Sequence, residues 1–85
     1  MTREEVLAVI AVAVARVLEV PAASVGPTTR LAEDLAADSL AIVEIVELVE
    51  EELLVRAGRA VRLDDERLDG LHTIDDAVDE VLAAL

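Results

Sequence analysis

The stretch EDLAADSLAIVEIVELVEEEL, residues 33–53, decides how the rest of this chain is read. From Leu40 onward, Leu40, Val43, Val46, Val49 and Leu53 recur at three- and four-residue intervals, the signature of a helix with one buried stripe. Glu44, Glu47, Glu50 and Glu51 fall mostly outside that stripe, so the helix presents an acidic outer face. Asp38-Ser39 stands where an N-cap is needed. The helix should end near Gly58, which suits the left-handed position just past a helix end. Arg56 and Arg59 lie at the negative end of its dipole, where cations are favoured.

Upstream, Thr2 and Glu5 fit a capping box that opens a helix running from about Arg3 to Glu19. Val6, Ile10, Ala13, Val14, Val17 and Leu18 are its expected buried face, leaving Leu7, Ala11 and Val12 outside. Pro21 disfavours helical geometry at Val20, so the helix ends there and a long connection runs to Asp38. A connection of that length needs its own anchors or a function; Val25, Leu31 and Leu35 are the expected anchors. Downstream, residues 59–63 read as extended, and Asp64-Asp65-Glu66 opens only a short helical turn before Gly70. Thr73, with Asp76 three residues on, caps a last helix in which Ile74, Ala77, Val78, Val81, Leu82 and Leu85 keep the helical period. The expected core is Val6, Ile10, Val14, Val43, Val46, Val49, Leu53, Ile74, Val78 and Val81. The fold class is all-α: three longer helices and one short one, with a long loop between helices 1 and 2, in a single domain spanning 1–85.

Composition narrows the function. Seven Arg against 19 acidic residues give −12, which excludes binding to a nucleic-acid backbone. Residues 31–55 carry eight acids and no base, so most of the field sits on the acidic helix and favours basic partner surfaces. With no Cys and a single His, thiol chemistry and an ordinary zinc site are not expected. The longest apolar run, Val6 to Ala15, is too short to span a bilayer, so neither an anchor nor a signal peptide is expected. Lys, Asn, Gln and all aromatics are absent while Ala, Val and Arg abound, which reads as a GC-rich bacterial coding bias.

No catalytic constellation emerges. Serine attack needs a base within hydrogen-bond reach, and the one histidine, His72, reads as a loop residue before the last helix. Carboxylates are plentiful, yet on an exposed acidic face they are ordinarily solvated. There is no GxGxxG motif and no P-loop.

The run Glu33-Asp34-Leu35-Ala36-Ala37-Asp38-Ser39-Leu40, continued through Val43, Glu44, Val46, Glu47 and Val49 to Glu52, closely resembles the acyl carrier protein family. The resemblance covers nearly the whole chain, including the long first loop, a short third helix at Asp64 to Leu68, and the terminal helix after His72-Thr73-Ile74. It implies a small four-helix bundle whose Ser39 carries a 4′-phosphopantetheine arm, installed from coenzyme A by a separate phosphopantetheinyl transferase. The arm's thiol would hold acyl groups as thioesters, so a protein without cysteine works through a borrowed thiol and is a carrier, not an enzyme. Asp38 and Leu40 flank the attachment point. Leu40 with Glu44, Glu47, Glu50 and Glu51 would form the surface read by acyl-loading and condensing enzymes with basic docking faces. The same resemblance implies a cytoplasmic monomer that binds neither nucleic acid nor membrane.

The chain departs from the family pattern in four places. Glu47 stands where an apolar residue is common, and Leu53 where Phe is usual. Ala36 replaces a frequent Gly, so the turn before Ser39 is expected to be one that tolerates a side chain. The segment Leu54 to Arg62 is longer than in typical fatty-acid carriers and carries Arg56, Arg59 and Arg62. Asp38 before the serine favours an acyl or polyketide carrier over a peptidyl carrier. The divergent loop and composition favour bacterial specialised metabolism, polyketide or lipid-tail supply, over primary fatty-acid synthesis. An interaction module using the same acidic helix without a cofactor is the alternative of another class.

Overall fold

In the computed structural model, which describes residues 1–63 and 70–85, three α-helices form: α1 (Arg3–Leu18), α2 (Ser39–Ala57) and α3 (Ile74–Ala84). Each begins at the cap its sequence announces. Thr2 accepts from the Glu5 N–H at 3.2 Å while Glu5 Oε1 accepts from the Thr2 N–H at 3.0 Å. Thr73 and Asp76 repeat this reciprocal box on α3, at 3.1 and 3.0 Å. Asp38 is the cap of α2, its Oδ1 accepting from the Ala41 N–H at 2.8 Å. Gly58 closes α2 in the left-handed conformation, φ 69°. Helix α1 stops at Leu18, one residue before the expected end, because Glu19 turns left-handed at φ 56°.

Helix α1 packs against both other helices. Its residues Val9, Val12 and Ala13 line a groove with Glu52 and Arg56 near the end of α2, while Arg16 and Val17 line one with Glu44 and Glu47 nearer its start, so α1 and α2 run antiparallel. Arg3 ties α1 to α3 by ion pairs to Asp75 and Asp79, both 2.7 Å. The buried core includes Val6, Ile10, Val14, Val46, Val49, Leu53, Ile74, Val78 and Val81, as the spacing predicts, joined by Val9, Ile45 and Val61 among others. Burying these aliphatic side chains at roughly 1.5–3 kcal/mol each supplies the driving force for the fold.

Two features of the expected core change. Val43 is exposed, at 42%, and Ile45 is buried in its stead, while Leu40, next to the serine, is exposed at 67%. Helix α2 carries apolar residues beyond one stripe, so its periodicity admits more than one buried side; in its first turn Ile42 packs against the core and lines the interhelical cavity, while Leu40 stays exposed. Val9 joins the buried face of α1, whereas Val17 and Leu18 are only partly covered.

The long loop is anchored as expected, with Val25 and Leu31 buried and Leu35 packed against the core. It also contains a 3-10 turn, Ala22–Ser24, that the sequence pattern does not announce. The loop is bound to the start of α3 by backbone bonds: the Leu31 N–H donates to His72 O, the Ile74 N–H to Thr29 O and the Asp75 N–H to Pro27 O, each at 2.9 Å. An isolated bridge between Arg30 and Thr73 is the one β-type pairing among the described residues. The short helix expected at Asp64 to Leu68 lies outside the described residues.

Candidate functional site

The approach to Ser39 is built by residues 30–38. Arg30 and Asp34 close a loop on themselves: Asp34 Oδ2 accepts from the Arg30 backbone N–H at 2.8 Å, and Oδ1 from its guanidinium at 3.1 Å. Arg30 also pairs with Glu33. The guanidinium bond first, and the backbone bond second, hold the Asp34 carboxyl below its ordinary range. The chain then makes a single helical turn closed as helices are closed: the Ala36 N–H donates to Ala32 O at 3.1 Å and the Ala37 N–H to Leu31 O at 2.9 Å. Leu31 and Ala37, the apolar pair that such an ending brings together, are both buried.

This ending puts Ala36 at the position glycine normally occupies, with φ 54°. The turn is therefore not one that suits a side chain, contrary to the sequence expectation; it is the glycine turn with a methyl group accommodated in it. Its outcome is directional. Ala37 is pinned in the core, Asp38 emerges in extended conformation to cap α2, and Ser39 follows as the first helical residue, exposed.

Ser39, Ile42, Val46 and Val49 follow one another at helical intervals along one side of α2. Ile42, Val46 and Val49 line an apolar cavity among the three helices, shared with Ile10 and Val14 of α1, Ala77 and Val81 of α3, and Leu31, Leu63 and Leu71 from the connections. Its free volume is about 30 Å³, enough for a small group.

The other side of the first turn carries Leu40 and Val43 into solvent. Glu44, Glu47 and Glu51 are exposed along α2, and Arg16 of α1 shares a groove with them. Glu50 differs from its neighbours: it is partly buried and accepts from the Leu63 backbone N–H at 3.0 Å. Sequence reasoning groups it with the solvated acids because a bond across 13 residues leaves no periodic signal. His72 is exposed in the loop before α3; its backbone N–H donates to Asp76, helping to hold that carboxyl below its ordinary range after the larger effect of the Thr73 N–H. Among the described residues no helix is long and apolar enough to cross a membrane.

Ser39 is thus an exposed serine one helical turn from residues that line an apolar interhelical cavity, on a small helical scaffold. The profile of the phosphopantetheine attachment site family matches residues 8–81, and the chain belongs to that family, that of the acyl carrier proteins. The acyl carrier protein of Acidothermus cellulolyticus is 33% identical over 84 residues, covering 99% of this chain and 93% of that protein. The solved acyl carrier protein of Enterococcus faecalis, described for novel structural components that contribute to its high thermal stability, superposes with a TM-score of 0.72 at 30% identity, covering 100% of both chains. The chain is thus a carrier of acyl groups linked through phosphopantetheine, and not an enzyme.

Proposed function

We propose that Ser39 is the residue to which the 4′-phosphopantetheine is esterified, with Asp38 and Leu40 framing it. The observation that carries this reading is the position of Ser39 itself: exposed at the first turn of α2, and in helical register with the residues that line the cavity. A phosphodiester there meets the positive end of the helix dipole. The serine has no need of a base of its own, because a separate phosphopantetheinyl transferase activates it against coenzyme A. Incubation with coenzyme A and a broad-specificity transferase should add one phosphopantetheine to the intact mass, and Ser39→Ala should abolish the gain. A gain that survives in the variant would move the site elsewhere.

Leu40, Glu44, Glu47, Glu50 and Glu51 form the docking surface for acyl-loading and condensing enzymes, and the exposure of Leu40 and Val43 supports an apolar contact beside the serine. Acidic faces of this kind steer basic partners and set association rates more than affinity. The domain acts as a cytoplasmic monomer in bacterial polyketide or lipid-tail biosynthesis. This pathway reading rests on the basic segment after α2 and on the composition. Loading by a fatty acyl-AMP ligase but not by a malonyl transferase would fit lipid-tail supply; efficient malonyl loading would fit chain elongation.

A further inference from the structure

We propose that Glu50 is a positioning residue for the cargo cavity: its carboxylate clasps the Leu63 backbone and thereby holds the wall that Leu63 contributes. The inference rests on the carrier reading of the chain and concerns one carboxylate that faces two ways. Toward the interior, Glu50 Oε2 accepts from the Leu63 N–H at 3.0 Å, and Leu63 lines the apolar cavity together with Ile42 and Val49. Toward solvent, Glu50 lines an open groove of about 250 Å³ with Glu47, Glu51, Leu54, Val61 and Arg62. Gly58 is still held by its N–H to Leu54 O at 3.1 Å, but residues 59–63 lie outside the helix, and their described attachments to the body are the burial of Val61, the packing of Leu63 against the core and the bond to Glu50. A charged acceptor makes a stronger bond than a neutral one, so Glu50 is a substantial part of what keeps Leu63 in place. The carboxylate keeps a second oxygen, Oε1, so a cationic side chain entering the groove can pair with Glu50 while the Leu63 bond stands.

Glu50→Ala and Glu50→Gln separate the clasp from simple loss of charge, because both remove the charge but glutamine keeps an acceptor at the same reach. In the unmodified protein, Glu50→Ala should speed amide exchange at Leu63 by at least about tenfold, the smallest change expected when a hydrogen bond to a charged group is lost. Exchange at Val14, which reads global unfolding, should change far less, and Glu50→Gln should restore most of the Leu63 protection. With an octanoyl-phosphopantetheine group transferred from octanoyl coenzyme A, nuclear Overhauser contacts between the octanoyl methyl and Leu63 should be present in the parent, lost in Glu50→Ala and recovered in Glu50→Gln. Equal Leu63 exchange in the parent and Glu50→Ala, or octanoyl contacts that persist in Glu50→Ala, would overturn the proposal. If the parent accepts no octanoyl-phosphopantetheine, the reading of Ser39 fails, while the exchange comparison on the unmodified protein still decides the clasp.

Discussion

At the scale of single residues, the most consequential position is Ala36. An L-residue with a side chain in the left-handed region is strained by about 1–2 kcal/mol, partly offset by the smaller entropy that alanine loses on folding compared with glycine. Ala36→Gly should therefore raise stability by about 0.5–1 kcal/mol, or roughly 2–8 °C in melting temperature for a domain of this size. A thermal melt checks it, and an unchanged or lower midpoint would show that the methyl group makes compensating contacts. The strain lies three residues before Ser39, in the turn that aims the serine, and is shared only with Glu19 among the described non-glycine residues.

At the scale of elements, the helices depend on their caps. Removing the Thr73 hydroxyl with Thr73→Ala leaves the Asp76 N–H without its partner and should cost about 1 kcal/mol, read as a lower denaturant midpoint at unchanged slope. The carboxyls of Glu5, Asp34 and Asp76 are all held below their ordinary values, by the Thr2 N–H, by Arg30 and by the Thr73 and His72 N–H groups respectively. A carboxyl that binds its proton less readily in the folded state stabilises the fold at pH above its unfolded value. That contribution disappears as pH falls through the folded value. Protonating the exposed acids also relieves their mutual repulsion, so the loss is read as a difference between variants: below pH about 4, Asp34→Asn should lose less melting temperature than the parent, and equal losses would show that the Asp34 bonds contribute nothing.

The helices also differ in how plainly their sequences declare a buried side. In α3 the apolar residues occupy one side and acids the other, so Ile74, Val78 and Val81 are legible as core from their spacing alone. In α2 the apolar residues extend beyond one stripe, and periodicity does not tell Val43 from Ile45. The choice belongs to the packing partners: Ile45 lines the cavity shared with Ile10 and Val14 of α1 and Val81 of α3, whereas Val43 is left exposed.

At the scale of the whole molecule, a radius of gyration of 11.4 Å matches the roughly 12 Å expected for a compact chain of this length. Into that volume the chain packs a net charge of −12, with Glu44, Glu47 and Glu51 exposed on one helix. Mutual repulsion opposes folding, and salt screens exposed charges beyond about 10 Å at 0.1 M. Raising sodium chloride from about 0.01 to 0.15 M should lift the melting midpoint by several degrees, and divalent cations should act at lower concentration. Circular dichroism melts that respond to neither would place the repulsion below measurable size.

The order of amino acids is enough for whatever depends on neighbours within a turn or two: the three capping residues, the glycine stop at Gly58, the helical periods, the anchors Val25 and Leu31 of the long loop, and the Asp38-Ser39-Leu40 run that points to a carrier. These are local because capping bonds and side-chain spacing are properties of one segment. Packing between elements is needed to settle which side of α2 is buried, that Ala36 adopts a glycine's conformation, that Val61 enters the core, and that Glu50 is bonded to the chain 13 residues away. Each of those depends on how far a separate element reaches, a distance that no single segment carries in its own residues.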